Sequence, residues 1–168
     1  MRKLAIGILV TVAACTAGNP AEGPSSNREG TPSSATGEPL PMRSLLQEYN
    51  TGLRDSVRQV ITDGESLALV WAQAHEGRGE VPAVPSVDFT TEMVIVAALG
   101  TRNSGGYPIT IDSVVASGTA LHVYVRKTSP GPTCGTTGAL TEPASIVAVP
   151  RSTASVVFDE IDQRSDCG

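Results

Sequence analysis

The fold is decided by the stretch Met93-Val94-Ile95-Val96-Ala97-Ala98-Leu99-Gly100, an unbroken apolar run that ends at a glycine. A strand with one wet face alternates apolar and polar residues, whereas a strand covered on both faces is apolar throughout. Met93 to Leu99 therefore predicts a central strand that is buried on both faces.

Further strands are predicted downstream of this run, at Ile109 to Ala116, Ala120 to Lys127, Ser145 to Val149 and Ser155 to Phe158. The tripeptide Ser117-Gly118-Thr119 is typical of a tight hairpin connection. In the strand that follows it, apolar and polar residues alternate, so the face turned away from Leu121, Val123 and Val125 carries His122, Tyr124 and Arg126.

Upstream, Ser56 to Thr62 predicts a strand, and a helix is predicted from Gly64 to His75 with Asp63 as its N-cap and Trp71 in the core. The segment from Met42 to Leu46 is ambiguous between helix and strand. These elements predict an α+β fold, a mostly antiparallel sheet of about five or six strands with one packed helix. A closed barrel or a pure sandwich is an alternative, but neither offers an obvious surface against which the helix can pack.

The N-terminus is typical of an export signal. Arg2 and Lys3 precede a short apolar run, and small residues lead up to Cys15. The pattern resembles the bacterial lipobox, whose cysteine carries fatty acyl chains such as palmitate. It predicts a signal peptide at residues 1–14, lipidation at Cys15 and a membrane-anchored, extracytoplasmic protein of the cell envelope. The alternative is an ordinary cleaved signal with an incidental cysteine.

Residues 15–41 are rich in Ala, Gly, Ser, Thr, Pro and Glu, which predicts a disordered tether, with one domain over residues 42–168. The chain has three cysteines. If Cys15 carries lipid, Cys134 and Cys167 remain as a pair in an oxidising compartment, and we expect them to form a disulfide. Two free thiols are the alternative.

Composition and motifs exclude several functions. The formal net charge is −5 at pH 7, whereas a nucleic-acid-binding domain needs a basic face. His75 and His122 lie in different elements without metal-ligand spacing, and no nucleophile-elbow motif is present. The sequence therefore predicts no catalytic residues, no metal and no cofactor. The acidic residues Asp112, Asp159, Glu160 and Asp162 are interpreted as a solvated edge, and Asp88 as the acceptor of a structural hydrogen bond.

The most distinctive surface element is the turn before the strand at Ile109. It contains the candidate interaction residues Arg102, Asn103, Gly105, Gly106 and Tyr107. In a purely structural interpretation, the glycines adopt positive φ and Tyr107 packs over the sheet. In a functional interpretation, the turn is a recognition loop that acts together with Thr128 to Thr137.

Several of these motifs, taken in order, resemble the C-terminal domain of the PrcB family, which is named for a subunit of a bacterial surface protease complex. The resemblance covers Gly52 to Phe158 and is carried by Asp88-Phe89, Gly100, Gly105 to Tyr107, Leu121 to Val125, Pro130, Pro132, Thr141, Pro143 and Ile146 to Pro150. It implies an accessory protein that associates with a secreted protease and stabilises it.

The leading hypothesis is therefore a non-catalytic, lipid-anchored accessory protein that binds another secreted protein, by analogy a protease. One alternative is a loop-based protease inhibitor. A second alternative is a small-ligand binder or an unrecognised enzyme, which would require a pocket with convergent polar groups, for example around His122, Tyr124 and Arg126.

Overall fold

The computed structural model describes residues 37–167. The predicted signal peptide, the predicted lipidation site Cys15 and most of the predicted tether lie outside these residues. The elements follow in the order β1 (Glu38–Pro39), β2 (Arg43–Glu48), β3 (Ser56–Ile61), α1 (Gly64–Ala74), β4 (Glu92–Leu99), β5 (Ile109–Ser117), β6 (Ala120–Pro130), β7 (Ala144–Pro150) and β8 (Ser155–Ser165).

The strands form two four-stranded sheets, with the orders β1-β5-β6-β8 and β2-β7-β4-β3. Neighbouring strands are antiparallel except for β6 and β8, which are parallel. Helix α1 covers one face of the β4-containing sheet, and the second sheet covers its other face. The α+β class and the packed helix are confirmed. The prediction of about five or six strands in one sheet is wrong, because the described residues form eight strands in two sheets.

Strand β4 lies at the centre of these three layers. Val94, Val96 and Ala98 face the helix-side core, while Met93 and the alternate residues after it face the inter-sheet core. Every residue from Met93 to Leu99 is at most 6% exposed, which confirms the predicted burial on both faces. Full burial of a Val or Ile side chain contributes about 1.5–3 kcal/mol, so this strand is a large source of stability.

The predicted helix is also confirmed. The carboxylate of Asp63 accepts a hydrogen bond from the backbone N–H of Ser66 at 2.8 Å, as an N-cap does. Trp71 is 5% exposed, and its Nε1 donates to the carbonyl of Pro82 at 2.9 Å. His75, at the helix C-cap, is also buried, and its Nδ1 lies 2.8 Å from the carbonyl of Trp71.

The strands that were unpredicted, left ambiguous or predicted too short have weak local patterns. Strand β1 has only two residues, and it pairs with β5 ahead of the expected domain boundary at Met42. Strand β2 contains no β-branched residue, and a bulge between Ser44 and Leu46 breaks its alternation. Strand β8 runs to Ser165 instead of ending at Phe158, because all of it pairs with β6.

Candidate functional site

The candidate interaction residues lie in the loop between β4 and β5, which is joined to the loop between β6 and β7. We call these the first loop (residues 100–108) and the second loop (residues 131–143), and together the loop end. The backbones of Arg102 and Thr141 exchange two hydrogen bonds, at 2.7 and 3.0 Å. The N–H of Gly105 donates to the carbonyl of Thr137 at 3.0 Å. The two loops therefore form one continuous surface.

The Gly-Gly-Tyr turn has a structural role in this surface. Gly106 adopts φ +90°, a conformation that strains any residue with a Cβ. The turn delivers Tyr107 to the inter-sheet core, where its half-buried ring packs at the margin. Asn103 is exposed, whereas Arg102, Ser104 and Gly105 are partly buried. The turn is therefore held in place by hydrogen bonds to the second loop and by the packing of Tyr107.

The chain end is fastened to the same surface. Cys134 in the second loop forms a disulfide with Cys167, as cysteine counting predicted. Beside it, the N–H of Gly131 donates to the carbonyl of Ser165 at 3.0 Å, and a Cβ on Gly131 would lie only 2.5 Å from that oxygen. The disulfide and this close approach attach the end of β8 to the second loop.

Arg102 lies between two small hollows at the loop end. The first hollow, of about 210 Å³, is lined by Thr101, Arg102, Asn103, Ser104 and Tyr107. The second, of about 200 Å³, also has Arg102 and Tyr107 in its lining, together with Leu99, Lys127, Thr128, Ser129 and Asp162. The Nη2 of Arg102 donates to the carbonyl of Leu99 at 3.0 Å. Its Nε is buried and has no hydrogen-bond partner among the described residues.

A charged cluster closes the inter-sheet core beside the loop end. Glu160 of β8 pairs with Arg58 of β3 at 2.7 Å and with Lys127 of β6 at 2.6 Å. Lys127 also pairs with Asp162 at 3.1 Å. The hydrogen bond from Lys127 lowers the pKa of Glu160, and the bonds to Glu160 and Asp162 raise the pKa of Lys127.

The acidic residues interpreted as a solvated edge are exposed to different degrees, from 25% for Asp112 to 82% for Asp162, and each of them also pairs with a basic side chain. Besides Glu160 and Asp162, Asp159 pairs with His122 at 2.7 Å, and Asp112 pairs with Arg126 at 2.5 Å. These last two pairs lie on the outward face of the sheet, as predicted for His122 and Arg126. The basic partners lie on other strands, so the local sequence around each acidic residue could not identify them.

Thr141 is the main residue that the sequence analysis did not assign to the site. It is 7% exposed, and its hydroxyl donates to the carbonyl of Ser104 at 3.0 Å, across the two loops. Its position two residues before Pro143, inside the family-like motif, was the available signal. Only the fold reveals that this motif connects the two loops.

The opposite end of the domain is where the chain enters. Glu38 pairs with Ala116, next to the Gly118-Thr119 hairpin, and we call this the hairpin end. Ala116 and Ile109 are seven residues apart in β5, which separates the entry point from the first loop by about 20 Å. Strand β1 is antiparallel to β5, so β1 begins at the hairpin end and runs toward the loop end.

These features define a small α+β domain that presents interlocked loops at one end of a two-sheet scaffold. Within residues 37–167 there is no group of side chains that could hold a metal ion, and no helix long and apolar enough to cross a membrane. Residues 93–150, from β4 to the end of β7, match the family model described as PrcB C-terminal. The predicted resemblance is confirmed over this stretch, which contains both loops. No curated protein and no solved structure gives a significant match.

Proposed function

We propose that this protein is a non-catalytic accessory lipoprotein, anchored outside the cytoplasm through Cys15, that binds another secreted protein through its loop end. The family match supports a protein partner, and by analogy that partner is a protease. The disulfide between Cys134 and Cys167 fits an oxidising compartment, as expected for an exported protein.

One observation carries the proposal: the chain enters at the hairpin end, and the interlocked loops lie at the other end. A tether that joins the domain at Gly37 would hold the hairpin end toward the membrane. The loop end would then project outward, where a soluble or surface partner can reach it. Loops positioned by a rigid sheet are a common location for binding residues.

Large side chains with apolar surface contact water in the loop end and in the segment beside it. Leu140 of the second loop is 63% exposed, and Tyr49, which follows β2, is 57% exposed. The segments that carry these two residues are joined by a bridge between Asn50 and Glu142. Aromatic and apolar residues in a polar surround are typical of the centre of a protein interface, so these two side chains are the proposed anchors.

The test is recovery of the partner from detergent-solubilised membranes with the full-length protein as bait, followed by cross-linking to locate the contact. Leu140→Ser should reduce recovery about tenfold, the effect of removing an interface anchor. Leu69→Ser is the matched control, because Leu69 is 68% exposed on the outer side of α1.

Equal recovery with both variants, or no partner with the unaltered protein, would contradict binding through the loop end. Mass spectrometry of the same purified bait tests the anchor. We expect a lipid-modified Cys15 at the N-terminus, whereas an intact Met1 would contradict the proposed location.

A further inference from the structure

Arg102 differs from most other arginines of the described domain in its electrostatic environment. Four arginines, Arg43, Arg58, Arg78 and Arg126, each pair with a carboxylate. Within residues 37–167 no carboxylate pairs with Arg102, although it is partly buried and lines two hollows. Its cation is therefore placed at the candidate binding surface without a paired carboxylate among these residues.

The hydrogen bonds of Arg102 also leave part of its guanidinium without a partner among the described residues. A guanidinium has five N–H donors, and the described bonds of this one use only Nη2, toward the carbonyl of Leu99. The Nε is buried and unpaired. A buried donor without an acceptor is unfavourable, and of the Nη donors of the same guanidinium only Nη2 has a described bond, so an added acceptor would be favoured at this guanidinium.

The first hollow limits what that acceptor can be. Its volume of about 210 Å³ is below the 300–1,000 Å³ that is typical of small-molecule pockets, but a carboxylate on a side chain or chain end fits. Its lining contains no acidic residue and offers, besides Arg102, the amide of Asn103. The hydroxyls of Thr101 and Ser104 also line it, but they already donate to the carbonyls of Arg54 and Gly105.

A single guanidinium also favours a monoanion. A planar carboxylate matches the fork of an arginine, whereas a phosphate group normally draws further cations. The lining of the second hollow contains another cation, Lys127, which is already paired with Glu160 and Asp162. Asp162 lines the second hollow only, so the first hollow is the better receptor for an added negative charge.

The backbone around this hollow is preorganised. Arg102 exchanges two hydrogen bonds with Thr141, and the carbonyl of Ser104 accepts the Thr141 hydroxyl. Less conformational freedom is lost on binding when the receptor is already held in place.

We infer that the first hollow, with Arg102 as its cation, binds a carboxylate of the protein partner, from an acidic side chain or a chain terminus. This inference rests on the proposed function and specifies the chemistry of the contact. Arg102 then serves as the specificity residue of the loop end, beside the apolar anchors.

The Nε–H of Arg102 gives a direct test, since arginine Nε–H groups give signals in proton–nitrogen correlation spectra. The unaltered full-length protein is titrated with three short peptides. The first has a free C-terminal carboxylate, the second has blocked ends and one internal Asp, and the third replaces that Asp by Asn. We expect saturable shifts of the Arg102 signal with the first two and none with the third. The tighter of the two carboxylate peptides identifies the source.

Arg102→Gln should weaken binding of the carboxylate peptides at least about tenfold, read from the amide signals of the first loop. Arg151→Gln is the matched control and should leave binding unchanged, because Arg151 lines a different hollow at the hairpin end and its guanidinium donates to the carbonyls of Thr62 and Phe89. The titration of the unaltered protein keeps the test valid if Arg102→Gln does not fold.

Equal shifts with the Asn peptide, non-saturating shifts, or no shift because Nε is satisfied by water would each overturn the inference. The two proposals fail separately. If Leu140→Ser loses the partner but no peptide shifts Arg102, the loop end binds by other contacts. If the peptides bind but no partner is recovered, the carboxylate site stands and the proposed partner does not.

Discussion

The hairpin end and the loop end of this domain are held together by different kinds of contact. At the hairpin end two turns have bonds within a few residues, from Ser66 to Asp63 and from Thr90 to Asp88, and Arg151 adds long-range bonds to the carbonyls of Thr62 and Phe89. At the loop end the partners are distant in sequence, 37 residues for Thr141 and Ser104 and 33 for the disulfide.

This difference bears on function. A turn whose hydrogen bonds join its own residues can hold its conformation without contacts to distant segments. The loop end instead has two loops and the chain terminus tied to one another, which holds an irregular surface in one conformation without a helix or strand to cover it. A surface used for binding benefits from such preorganisation, whereas a mere connection between strands does not require it.

The largest expected effect comes from removing the disulfide. The double variant Cys134→Ser with Cys167→Ser should lower the free energy of unfolding by about 3–4 kcal/mol, the chain-entropy estimate for a loop of this size. Denaturant unfolding measures the total, and amide hydrogen exchange measures its distribution. The amides of Gly105 and Thr141 should lose more protection than those of Ser66 and Thr90.

Reduction of the unaltered protein is the control, because it breaks the same bond without replacing a side chain. If the amides of both ends lose protection equally in both experiments, the disulfide acts only on the unfolded chain. The distinction between the two ends would then fail.

The same distinction explains what could be predicted from sequence. The cap at Asp63, the hydrogen-bonded turn at Asp88 and the Gly118-Thr119 hairpin are all confirmed, because each is determined by residues within a few positions of one another. The burial of β4 on both faces could also be predicted, because the run from Met93 to Leu99 is apolar at every position.

Apart from the disulfide between Cys134 and Cys167, which the cysteine count predicted, contacts between distant segments could not be predicted in this way. The run from Asp159 to Ser165 is polar and has weak strand propensity. It nevertheless forms the second half of β8, because its backbone pairs with β6 and its Glu160 pairs with the cations of Arg58 and Lys127. The candidate residues from Arg102 to Tyr107 could be selected as a turn. The buried Nε of Arg102 depends on a fold that brings Thr141 beside it.

A substitution of intermediate effect compares one hydroxyl at each end. Thr141→Val keeps the side-chain shape but removes the bond to the carbonyl of Ser104, and should lower the free energy of unfolding by about 1–2 kcal/mol. Thr90→Val is the counterpart, because the Thr90 hydroxyl bonds the exposed carboxylate of Asp88 at 2.6 Å. We expect a smaller loss there. A larger loss for Thr90→Val in denaturant unfolding would reverse the assigned importance of the two ends.

The smallest effect concerns the charged cluster beside the loop end, and it depends on pH. Glu160→Gln should cost about 1 kcal/mol or less near neutral pH, because the carboxylate is partly exposed and screened. Glu92→Gln, which removes the pair with Arg43 at the hairpin end, is the control with a smaller expected loss, since Arg43 is 48% exposed.

The direction of the pH dependence follows from the two shifted groups. Since the pKa of Glu160 is lowered in the folded state, mainly by Lys127, its contribution is complete above the ordinary value of 4.5 and is lost as pH falls through the folded value. Since the pKa of Lys127 is raised, mainly by Glu160, its contribution is complete below 10.5 and is lost as pH rises through the folded value. The difference in unfolding free energy between the unaltered protein and Glu160→Gln should therefore persist between these limits, shrink in acid and decrease with added salt. A difference that is independent of pH and salt would mean that Glu160 stabilises β8 by packing, and the ion pairs would then play no part in holding the strand that carries Cys167 to the loop end.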